Sequence, residues 1–132
     1  MERQTPYSFG RTVDLGFEQA VAKIKDALGR QGFGILTEID VTAKFKEKLG
    51  IAFRPYRILG ACNPTMAHRA LGVEIDLGVL LPCNVVVYVD DEGRTRVMAM
   101  DPEKAMRVVG NPQLLEIAAE VRRLLGAALA EL

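Results

Sequence analysis

The chain has 132 residues, 49% of them hydrophobic, and its 17 basic and 17 acidic side chains leave no net charge. That length supports one well-buried core and is short for two ordinary domains, so residues 1–132 read as a single domain. The charge balance removes the broad attraction to phosphate backbones that dominates nonspecific nucleic-acid binding, and neither DNA nor RNA is expected as a partner.

The longest apolar stretch, Leu77 to Val89, is broken by Gly78, Pro82 and Asn84. It falls short of the roughly 20 residues that a spanning helix needs, so no membrane segment is expected. The start, Met1 to Pro6, lacks the apolar run of a secretory signal, which makes the cytoplasm the expected location.

Tyr7 to Val13 reads as a first strand. Asp14 stands where it would cap a helix in which Phe17, Val21, Ile24 and Leu28 recur at helical spacing, and Gly32 closes that helix. Phe33 to Ile39 sets Phe33, Ile35, Thr37 and Ile39 against Gly34, Leu36 and Glu38, the alternation of a half-buried strand. Asp40 then caps a short helix with the stripe Val41, Phe45 and Leu49, its lysines forming a solvated face.

Tyr56 to Cys62 is the next strand, and Asn63-Pro64 has the order of a helix N-cap followed by proline at the first helical position. A loop is expected around Gly72 to Gly78. Val85 to Val89 and Arg94 to Met100 form a hairpin through the turn Asp90-Asp91-Glu92-Gly93, with Arg94 and Arg96 on a wet face. Asp101-Pro102 and Asn111-Pro112 start the last two helices. In the final one Leu114, Ala118, Val121, Leu125, Ala128 and Leu132 form a stripe that Ile117, Leu124 and Leu129 widen. A face that broad must cover a sheet or a second subunit, and it argues for a homodimer.

Two short segments, Gly60 to Pro64 and Leu80 to Asn84, hold both cysteines and have the look of a site. Cys62 stands just outside a helix N-terminus, where unpaired backbone N–H groups lower a thiol pKa. On that reading Cys62 is a nucleophile, Cys83 resolves it, and His68 assists in redox or acyl-transfer chemistry. Against it, alternation groups Cys83 with Val85, Val87 and Val89, and Cys62 with Tyr56 and Ile58. Both read as core faces, where free cysteine behaves as a small hydrophobe. His68 then reads as an exposed helix residue. No orienting group or oxyanion site completes a catalytic set, so the reading leans away from an enzyme. Two cysteines and one histidine do not complete a tetrahedral metal site, no metal is expected, and no cofactor is assigned.

Gly32-Phe33, Glu38-Ile39-Asp40-Val41, Tyr56 to Pro64 and Leu80 to Tyr88 follow one another in an order that resembles the family called domain of unknown function 302. The resemblance covers nearly the whole chain. It implies an α+β fold with a curved antiparallel sheet and helices packed on one face, similar in architecture to a single TATA-binding-protein-like repeat. It also implies homodimers, and it implies no activity. The family's motif falls on Cys62, Asn63, Pro64, Leu81, Pro82 and Cys83. Architecture alone does not bring DNA binding, and this sheet reads as lacking the basic and aromatic surface for it.

Three functions stay open. The first is a homodimeric ligand-binding or regulatory module that encloses a small apolar or amphipathic ligand beside the motif, with the Asn63 and Asn84 amides orienting it. The second is the thiol enzyme of Cys62 and Cys83, and the third a protein–protein interaction module.

Overall fold

β-branched and apolar residues at alternate positions make the strands, and their pairing sorts the side chains into two faces. In the computed structural model, which describes residues 2–132, six strands form one antiparallel sheet. They are β1 (Glu2–Gln4), β2 (Ser8–Val13), β3 (Gly34–Asp40), β4 (Tyr56–Cys62), β5 (Cys83–Val89) and β6 (Thr95–Met100). Their order across the sheet is β1-β2-β6-β5-β4-β3. Phe9, Ala99, Val85 and Leu59 pair across four strands and are buried in one row. The adjacent row, Gly10, Met98, Val86 and Ile58, faces the opposite side.

The first face is covered by α1 (Phe17–Arg30) and α5 (Gln113–Ala130). Ile24, Leu28, Leu114 and Leu125 are fully buried with Leu59, Val85, Val87 and Val97, and each such side chain contributes about 1.5–3 kcal/mol before entropy is subtracted. α3 (Pro64–Val73) and α4 (Pro102–Val109) pack against α5 in turn. The broad stripe of α5 is therefore spent inside the chain, and its width no longer argues for a second subunit. α2 (Val41–Leu49) buries no residue and reaches the other side of the sheet through ring contacts from Phe45 to Phe53 and from Phe53 to Tyr56. Among the described residues no helix covers the middle of the second face.

Local signals place most of the elements. Asp40 caps α2 by accepting from Ala43 N at 2.9 Å, Asn63 caps α3 by accepting from Met66 N at 3.2 Å, and Asp101 caps α4 by accepting from Glu103 N at 3.0 Å. In the β5–β6 hairpin Gly93 takes a φ of 79°, the left-handed region that glycine enters without a Cβ penalty.

Several expectations need correction. Asp14 does not cap α1; Gly16 is the N-cap, and the Gln19 side chain accepts from Gly16 N at 3.0 Å. The expected loop around Gly72 to Gly78 is mostly helical, because α3 runs to Val73 and a 3-10 turn, Ile75–Leu80, follows with Leu77 buried as its anchor. β3 shifts register between Ile35 and Thr37, so its alternation breaks and Ile39 is exposed at the sheet edge. Of the two arginines expected on a wet face, Arg94 is exposed, while Arg96 is half-buried on the open face, its Nε donating to Asp90 Oδ2 at 2.9 Å. β1 escaped the sequence reading altogether: three polar residues carry no periodic signal. Among the described residues no helix is long and apolar enough to cross a membrane.

Candidate functional site

The two motif segments meet, as antiparallel pairing of β4 and β5 sets Ala61 opposite Cys83 and Gly60 opposite Asn84. Beneath them, between the sheet end and α3, α4 and α5, lies a cavity of about 50 Å³. Cys62, Asn63, Leu81, Pro82 and Cys83 line it together with apolar side chains such as Phe33, Met106 and Leu114. An engineered cavity that holds benzene measures roughly 150 Å³, so this one has no room for a drug-sized molecule. Of the residues expected to form one site, Pro64 and His68 are exposed on α3 and line no part of this cavity, and Asn84 points to the other face of the sheet.

The motif residues shape backbone. A Cβ on Gly60 would collide with Thr37 Oγ1 and stand 2.8 Å from Pro82 Cγ, so the glycine lets the proline ring cross the strand. Asn63 Oδ1 is used as the cap of α3. Cys83 is buried, and burial first and then the neighbouring Cys62 push its thiol up to about 11, which leaves no thiolate at neutral pH. Cys62 is half-buried at the strand end, where it also lines this cavity. The structure brings the two cysteines to one cavity and leaves His68 outside it, so no thiol–imidazole pair is assembled. Among the described residues no group of three or more His, Cys, Asp or Glu side chains is arranged to hold a metal ion.

The larger concavity is on the second face of the sheet. It measures about 680 Å³, and its floor is Val86, Met98 and Met100. Tyr56 and Tyr88, cross-strand partners on β4 and β5, stack there with ring centroids 5.4 Å apart and planes 13° apart. Burial raises the Tyr56 pKa, and Tyr88 and then Tyr7 add to the rise. Its hydroxyl therefore stays a hydrogen-bond donor well into alkaline solution. Met98 is buried on this face because Gly10 has no side chain: a Cβ there would stand 2.9 Å from Met98 Sδ. Tyr7 and Val108 on the rim are 70% and 84% exposed. The expectation that the sheet lacks aromatic surface fails here. Tyr7, Tyr56 and Tyr88 are far apart in sequence, and only the register of β4 against β5 and the end of β2 bring them together.

Residues 9–132 match the family described as Domain of unknown function DUF302. The chain belongs to the DUF302 family. It is similar to an uncharacterized conserved DUF302 protein from Bacillus stearothermophilus, known from a crystal structure. The two are 34% identical over 93% of this chain and 95% of the other, with a TM-score of 0.87. No curated protein matches the chain. The DUF302 match includes both cysteine segments and most of the concave face, from Phe9 onward; β1 and Tyr7 precede it.

Proposed function

We propose that this DUF302 chain is a binding module for a small amphipathic molecule, and that the ligand lies on the open concave face of the sheet and not in the cavity beside the cysteines. The observation that carries the reading is the 680 Å³ concavity with an apolar floor and stacked tyrosines. Ligand sites of about 300–1,000 Å³ with a few placed polar groups on apolar walls are the common form. Asn84, Ser8 and the tyrosine hydroxyls supply such groups here. The cysteine cavity, less than a tenth of that volume, supports packing. The high pKa of Cys83 likewise speaks for a packing role and against the thiol enzyme. Two copies joined as a homodimer would carry one such site per protomer.

The test is titration of the neutral fluorophore N-phenyl-1-naphthylamine into the native protein and into Val86→Glu and Tyr88→Ala variants shown by melting to be folded. Saturable binding with one probe per chain, weakened in both variants, is the expected result. Equal binding to all three proteins, or none to the native one, overturns the site.

A further inference from the structure

The charges around the concave face are one-sided. The chain as a whole carries equal numbers of basic and acidic residues. Among the described residues that line this concavity, the only charged side chains are Arg3, on edge strand β1, and Lys104, in the first turn of α4, and none is a carboxylate. Many of the chain's cations are neutralised: Arg54, Arg57, Arg96, Arg122 and Arg123 all sit on carboxylates within 3.2 Å. Arg3 and Lys104 are exposed and have no ion-pair partner among the described residues.

The rest of the lining carries hydroxyl and amide donors. Tyr56 keeps its proton because burial and its tyrosine neighbours disfavour a phenolate, and Arg96, the cross-strand partner of Tyr88, has its charge matched by Asp90. An anion entering the site meets two unmatched cations and several O–H or N–H donors, and no negative group. Behind them lie Val86, Met98 and Met100, which accept an apolar body.

We infer that the ligand of this face is an amphipathic organic anion, a carboxylate or sulfonate head on an aromatic or acyl body, with the head held by Arg3 and Lys104 and the body laid on the tyrosine and methionine floor. The inference rests on the binding site proposed above and adds the sign and place of the ligand's charge. A free small molecule is the occupant that the geometry favours: the face is concave, and two cations are fewer than a stable electrostatic hold on an anionic membrane surface requires.

The experiment compares two fluorophores on the native chain: the anion 1-anilinonaphthalene-8-sulfonate and the neutral N-phenyl-1-naphthylamine. Arg3→Gln, Lys104→Gln and the double variant all change exposed residues and are expected to keep the native melting temperature. The expected result is an affinity for the anion about tenfold lower in the double variant, with neutral-probe binding unchanged and a dependence on salt only for the anion. Unequal loss between the two single variants identifies which cation meets the head. If both probes bind the native chain equally, or the double variant weakens both alike, the charge assignment is wrong while the binding site stands. If neither probe binds, both proposals fall. Recovery of the native chain, but not the double variant, with vesicles of one-third phosphatidylserine, without probe binding, would make the occupant a membrane surface and overturn the inference.

Discussion

Asp101 Oδ2 accepts from Arg122 Nε at 3.2 Å while Asp101 Oδ1 accepts from Glu103 N, so one carboxylate ties the start of α4 to the middle of α5. Asp101 is 4% exposed, and the guanidinium it holds lies 4.2 Å from the centre of the Phe9 ring on β2. Two helices and the sheet thus share one charged group. Asp101→Ala removes both the cap and the partner of Arg122. The expected loss is roughly 2 kcal/mol in denaturant unfolding, and Asp101→Asn, which keeps a capping oxygen, is expected to lose about half of that. Equal losses in the two variants would assign the whole effect to the charge.

Gly60 is expected to resist substitution by the smallest side chain. A methyl group there meets Thr37 Oγ1 and Pro82 Cγ, so the threonine must leave its rotamer and the proline ring must shift. Gly60→Ala should cost roughly 1–3 kcal/mol, while Gly78→Ala, where an added Cβ meets nothing within 4 Å, should be close to neutral. Thermal melts of the two variants, with Thr37→Ala added to Gly60→Ala, make the check; partial recovery in the double variant identifies the clash.

Alkaline pH should weaken the fold through Cys83. Its folded pKa of about 11 lies above the unfolded value of 9.0, so the native state holds a proton that the unfolded state releases. That contribution is complete below about pH 9 and is lost as the pH rises toward 11; a two-unit difference corresponds to roughly 2–3 kcal/mol. The difference between native and Cys83→Ala unfolding curves across this range reads it. Native-state alkylation followed by peptide mass spectrometry should show Cys83 protected until the chain unfolds, and Cys62 reacting first.

Acid acts through Glu38. Its carboxyl is held below the usual range chiefly by the hydrogen bond from Lys25, with Arg57 adding to it at 2.9 Å against the opposing effect of burial. A lowered folded pKa means that the stabilisation is present above the unfolded value of 4.5 and is lost as the pH falls through the folded one. Glu38→Gln should therefore flatten the acid side of the stability curve while leaving the alkaline side unchanged, as measured by urea midpoints from pH 3 to pH 10. An unchanged acid limb would show that the Lys25–Glu38–Arg57 cluster is solvated.

Much of the architecture was legible because the responsible signals are local. Asn63-Pro64 and Asp101-Pro102 each combine a capping side chain with a proline that needs no N–H, and both open helices where expected. Asp90 to Gly93 turns the hairpin with its own side-chain and backbone bonds. Where a local signal competed with another, the reading slipped: Asp14 lost its cap to Gly16 because the Gln19 side chain closes that end. The candidate site was harder. The cysteine segments stood out by residue type, yet Cys83 and Asn84 are adjacent in sequence and face opposite sides of the sheet, one toward the packed cavity and one toward the open concavity.

The sequence by itself determined the α+β class, the starts of most helices, the β5–β6 hairpin and the membership suggested by the two cysteine segments. Caps, turns and amphipathic periods are set by residues within a few positions of one another. The tertiary structure decided that α5 covers its own sheet, that the cysteines share a small cavity without His68, and that Tyr7, Tyr56 and Tyr88 meet with Arg3 and Lys104 around one concave face. Those relations join residues up to about a hundred positions apart. They exist only once strand order and register are set, because the burial that fixes them is summed over the whole chain and is written in no single stretch of it.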